Sequence, residues 1–176
     1  MESIRIVLLC IAAPVAYGIV HDQVTARICI ECLTIGHSDL FGTKDSTLLG
    51  IGWGIVATWW VGPMLGVPMT FAARWGKGPK LDAKDLVRPL GLLLTVSCVV
   101  AVLAGLVGFV AASRGWVVLL GSLASEVPQG RHVAFLVDLW AHSASYACGL
   151  LGGIWLVVRT WRRRERMPTA SRPGAT

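Results

Sequence analysis

Four blocks of apolar residues, at 4–20, 47–73, 90–112 and 133–158, constrain this chain more than any other feature. An α-helix needs about 20 apolar residues to cross the hydrocarbon of a bilayer, with a lower limit near 17. The last three blocks exceed that length and the first only reaches it. Hydrophobic residues make up 55% of the 176 positions and charged residues only 15%, and the mean hydropathy is +0.66. Soluble domains carry about 25% charged residues. The expected fold is therefore all-α: a polytopic membrane protein with four transmembrane helices in a compact antiparallel bundle. A single transmembrane domain is expected over 1–166, followed by a disordered cytoplasmic tail over 167–176 that is rich in Pro, Ser, Thr and Gly.

The first block has an alternative reading as a cleaved signal peptide, with Ala16-Tyr17-Gly18 as a small-x-small cleavage site. Glu2 offsets Arg5, and Pro14 and Tyr17 suit that region poorly, so a retained span is the preferred reading. Basic residues set the orientation. One precedes or opens the first block, five lie between the second and third, and six lie at or after the end of the fourth, against four in the two other intervals. The positive-inside rule then places both termini in the cytoplasm. The net charge of +6 follows from this bias and does not require a nucleic-acid partner. The lipid bilayer is the expected partner, and Trp161-Arg162-Arg163-Arg164 reads as an anchor among anionic headgroups.

Small residues at four-residue spacing let helices meet closely in lipid. The second block has Gly50, Gly54, Gly62 and Gly66, the third Ala104, Gly108 and Ala112, and the fourth Ser145, Gly149 and Gly153. These predict packing seams within the bundle, or a contact with a second copy or another membrane protein. Pro63 and Pro68 predict bends in the second span. Trp75, Trp155 and Trp161 suit one membrane interface, and Trp53, Trp116 and Trp140 the other. The Gly-Lys-Gly-Pro-Lys stretch lacks P-loop spacing, while Asp82 and Asp85 are placed to cap a short helix leading into Pro89.

Ionisable residues gather on the expected outer side: all four histidines, with Asp22, Glu31, Asp39, Asp45, Glu126 and Asp138. The interval 21–45 looks helical in part, with Val24, Ile28, Cys32 and Ile35 recurring at four, four and three. It continues the first span or forms a separate surface helix. Asp138 and His142 share a helix face with the Ser145 stripe, roughly 8 and 13 Å below the outer end of their span. Charges at that depth cost several kcal/mol unless partnered, which makes them functional candidates. Tyr17 and His21 on the first span are the expected company. Two imidazoles and a carboxylate can hold a divalent metal ion such as zinc, with Glu31 or His37 completing the shell. The same groups can instead form a site for a small polar ligand or a structural hydrogen-bond network.

Cys29-Ile30-Glu31-Cys32 is a CxxC pair on the expected oxidising side, a possible disulfide. A short four-span chain with CxxC after its first span resembles the quinone-linked disulfide-generating membrane oxidoreductases. That family requires a second cysteine pair in its second outer loop, and 113–132 contains no cysteine. The stretches 17–27 (YGIVHDQVTAR), 58–62 (TWWVG) and 138–146 (DLWAHSASY) are similar to those of uncharacterised bacterial four-span membrane proteins. That resemblance implies a bacterial inner membrane and no activity. The leading expectation is a non-enzymatic protein with an outward-facing site for a metal ion, a small polar ligand or a membrane partner. The alternative is an enzyme, using thiol–disulfide redox at Cys29 and Cys32 or metal-assisted hydrolysis at the histidines.

Overall fold

Helix α1 covers Glu2–Ile28, about two turns past the end of the first apolar block, so the span and the first part of the following interval are one continuous helix. This computed structural model describes residues 1–76 and 78–167; the expected tail therefore lies outside the described residues except for Met167. After α1 come α2 (Ile30–Thr34), α3 (Ser46–Val56), α4 (Val61–Arg74), α5 (Ala83–Ser113), α6 (Ser122–Glu126), a single 3-10 turn at Gln129–Arg131, and α7 (His132–Glu165). No strand occurs among the described residues. Four helical stretches, Glu2–Ile28, Ser46–Arg74, Ala83–Ser113 and Gln129–Glu165, are long and apolar enough to cross a membrane.

Local chemistry sets the helix limits. Asp45 caps α3 by accepting from the Leu48 N–H at 2.8 Å. Asp82 and Asp85 form the expected capping box, but the helix they start is the long α5, which runs through Pro89 to Ser113. The second stretch is interrupted at residues 57–60, earlier than either proline. Pro63 explains the position: it has no N–H to donate, and its ring meets the carbonyl four residues back, that of Trp59. The chain passes the break through tighter turns, with N–H groups of Thr58, Val61 and Gly62 bonding carbonyls three residues earlier at 3.1–3.2 Å. Pro68 sits inside α4 without ending it.

Two pairs of elements form, each sealed by glycine. In the first, α1 lies on α3 and α4. A Cβ on Gly18 would stand 2.6 Å from the Gly54 carbonyl oxygen, so only hydrogen fits where these backbones cross. In the second, α5 lies on α7, and a Cβ on Gly108 would meet the Trp140 ring at 2.9 Å. The α5 seam runs through Ala101, Gly105, Gly108 and Ala111, one position off the expected face at most points. The expected α7 stripe is only partly a seam: Gly153 is buried, while a Cβ on Gly149 would meet nothing within 4 Å. At one end the two pairs join through Ile6, Cys10, Met69, Leu86, Leu90 and Leu156, all buried. At the other end they join through polar side chains of α1 and α7 and through a buried apolar cluster of Cys29, Cys32, Phe135 and Leu136.

Large apolar residues cover the outside, with Leu8, Val20, Leu106, Leu150 and Leu151 each more than half exposed. Val24 and Ile28 belong to this exposed set, whereas Thr25 and Ala26 turn inward. The apolar recurrence through Cys32 and Ile35 is therefore not one face, and Cys29, in an extended conformation (φ −150°), breaks the helix within it. Two aromatic and basic expectations also change. Trp53 is buried against Phe41 and His37, with ring centroids at 5.4 and 4.4 Å, instead of lying in a belt. Arg164 is buried rather than free for headgroups: it donates to the carbonyls of Ala72 (3.0 Å), Phe71 (3.4 Å) and Trp75, closing the C-terminal turn of α4.

Two glycine substitutions should differ in sign. Gly149→Ala adds a methyl into open space and gains helix propensity, up to about 1 kcal/mol. Gly54→Ala forces α1 away from α3 and should lower the melting temperature in detergent. Equal effects of the two would contradict the seam.

Candidate polar and metal-binding site

The site lies between α1 and α7, at the end remote from Arg164. Its residues meet in matched order along the two helices: Tyr17 with Ser145, His21 with His142, and Thr25 with Asp138. The His142 ring is the hub. Its Nε2 lies 3.1 Å from Asp22 Oδ1, and its Nδ1 lies 3.1 Å from Asp138 Oδ2 and 3.4 Å from His21 Nε2. The two imidazoles meet edge to face, with centroids 4.4 Å apart. Thr25 donates its hydroxyl to Asp138 Oδ1 at 2.6 Å. Asp22, Thr25 and Asp138 are each no more than 6% exposed, so the carboxylates are satisfied by protein groups and not by bulk solvent.

Below this hub, Tyr17 stacks near His21 (centroids 5.7 Å) and shares a 2.8 Å hydrogen bond with the Ser145 hydroxyl. Ser145 is thus engaged by a phenol and not by an imidazole, unlike a nucleophile with its base. Ser97 on α5 is a buried hydroxyl without a partner among the described residues.

Four of the six expected ligand candidates come together: Tyr17, His21, Asp138 and His142. Glu31 and His37 do not. Glu31 pairs with Arg131, whose Nε is 3.0 and 3.1 Å from the two carboxylate oxygens. His37 bonds the Cys32 carbonyl at 2.8 Å and packs on Trp53. Both are diverted because α1 ends at Cys29, and the short α2 carries them away from the α1–α7 seam. Sequence reasoning missed Thr25 and, nearer the hub, Asp22. The signal for Asp22 was its place four residues after Gly18 and three before Thr25, on the small and polar side of α1.

The donor set suits a divalent ion. One ligand atom each from His21, Asp138 and His142 lies within 4.8 Å of the others. Two imidazole nitrogens and one carboxylate oxygen are a familiar three-protein-ligand zinc set that leaves a fourth position open. Asp22, on the far nitrogen of His142, stands where an outer-shell carboxylate would fix the ring and raise its basicity. A +2 ion with two carboxylates and two neutral imidazoles also sums to zero charge.

Cys29 and Cys32 are free thiols, both buried. The hydrogen bond from Cys32 holds the Cys29 thiol below its usual value, while that same bond and burial push Cys32 up. Burial opposes ionisation of Glu31, but the backbone hydrogen bond at Glu31, the Cys29 thiol (3.3 Å) and Arg131 outweigh it and hold the carboxyl below its usual value. Cys10 is buried in the apolar core with Ile6 and Met69, whereas Cys98 is exposed on the outside of α5.

Comparison with known proteins yields no family model, no curated relative and no solved structure that matches this chain.

Proposed function

We propose that this chain is a four-span membrane protein, non-enzymatic, whose α1–α7 cluster binds a divalent metal ion in the outer half of the bilayer. The observation that carries the metal reading is the convergence of His21, Asp138 and His142 donor atoms within 4.8 Å, with Asp22 behind His142. The apolar outer surface and the four long apolar stretches support insertion. The paired order 17–145, 21–142 and 25–138 supports opposite directions for α1 and α7. The basic bias supports cytoplasmic termini. The likeness of 17–27, 58–62 and 138–146 to bacterial four-span proteins makes a bacterial inner membrane the proposed location. The competing reading is a purely structural network, favoured by the fact that both nitrogens of His142 already face carboxylates.

Two measurements test this reading. For topology, single cysteines at Ser38 and Ser122, in a background without native cysteines, should react with an impermeant reagent on intact cells, and one at Lys80 should not. Reaction at Lys80 alone would reverse the orientation. For the metal, protein purified in detergent and dialysed against Zn(II) should retain about one equivalent, as a three-ligand site predicts. His142→Gln and Asp138→Asn should lose it, and zinc should raise the melting temperature of the unsubstituted chain only. No retention, or equal retention in His142→Gln, would leave the structural network as the correct reading.

A further inference from the structure

At the opposite end from the histidine cluster, residues of α4 and α7 line an apolar groove of about 560 Å³. Its floor and walls include Val67, Phe71, Val157 and Val158, and its mouth is formed by Trp161, Arg162 and Glu165. We propose that this groove is a binding site for one acyl chain of an anionic phospholipid, whose phosphate sits on Arg162 and Arg166. The proposal rests on the membrane reading above, and on its assignment of this end to the cytoplasmic interface.

Three observations select this occupant. The lining is almost entirely hydrocarbon, which a flexible acyl chain fills at no polar cost. The mouth lies beside a cluster of cations: among the described residues, Arg162, Arg163 and Arg166 make no ion pair and no side-chain hydrogen bond. Arg162 lines the groove, and Arg166, the C-cap residue of α7, follows it by four positions in helical conformation, one turn farther along the same helix end. Arg164, by contrast, is consumed by α4 carbonyls, and the Glu165 carboxylate is held by the Trp161 indole N–H at 2.7 Å. The anchored Glu165 adds one negative charge at the rim, so a lipid phosphate is attracted only because two arginines flank it. Basic pockets between spans at the cytoplasmic face are suited to anionic headgroups in this way.

The groove must be separated from general attraction between a basic helix end and acidic lipid. The protein is reconstituted into nanodiscs of phosphatidylcholine alone or with one-fifth phosphatidylglycerol, a composition set by the experimenter, and bound lipid is counted by native mass spectrometry after release. Successful reconstitution in phosphatidylcholine alone checks the membrane reading separately; failure there would sink that reading and the lipid proposal with it. The expected result is preferential retention of phosphatidylglycerol. Removing charge with Arg162→Gln should reduce that preference about fivefold, and adding Arg166→Gln about fivefold more. Filling the groove with Val67→Trp, at a half-exposed position, should abolish retention while leaving every charge in place. Val158→Trp provides a second filling variant should the first fold poorly. Unchanged phosphatidylglycerol preference in a folded filling variant, or equal retention of both lipids by the unsubstituted chain, would overturn the proposal.

Discussion

The imidazole of His142 held between the carboxylates of Asp22 and Asp138 is the interaction on which the arrangement of the helices depends. Asp22 belongs to the pair formed by α1 with α3–α4, and Asp138 and His142 to the pair formed by α5 with α7. Within each pair, backbones approach through glycine and need no polar help. Between the pairs at this end, Tyr17, His21, Asp22 and Thr25 reach toward α7, Cys29 and Cys32 pack on Phe135 and Leu136, and Arg131 bonds Glu31 and the Ile28 carbonyl. Removing one member of a buried hydrogen-bonded set leaves its partner unsatisfied, at about 1–3 kcal/mol, and more where the partner is charged.

The two ends of the molecule solve the same joining problem with different chemistry. At the Arg164 end, Ile6, Cys10, Met69, Leu86, Leu90 and Leu156 close the centre with apolar side chains. Toward the His142 end the centre is polar from Tyr17 to Asp138, and beyond Asp138 it is closed again by buried Cys29, Cys32, Phe135 and Leu136. The polar residues descend from Asp138 and Thr25 to Tyr17 and Ser145 and then give way to the apolar core of the Arg164 end. Arg164, the one buried cation at the apolar end among the described residues, donates to the backbone carbonyls of α4.

Much of this was legible in the sequence, because block length and helical periodicity are strong signals. The four long helical stretches follow from the apolar blocks, and the meeting of His21 with Asp138 and His142, with Tyr17 stacked beside His21, follows from shared faces and depth. What was not legible has physical causes. Glu31 and His37 were assigned by their side of the chain alone, but the break at Cys29 turns them toward Arg131 and Trp53. Asp22 was passed over as one of several charges near a helix end, although burial makes it a direct partner of His142. The apolar recurrence through Val24 and Ile28 marks the exposed side of α1, because small and polar residues occupy the side that packs. Which tryptophan and which arginine are buried depended on loop paths that spacing does not encode.

The central claim is that Asp22 and His142 couple the two helix pairs directly. A double-mutant cycle of Asp22→Asn and His142→Gln, read as unfolding free energy in detergent with metal chelated, tests it. The account predicts a coupling energy of at least about 1 kcal/mol, within the range for residues in contact in one network. Additivity of the two substitutions to within about 0.5 kcal/mol would contradict it.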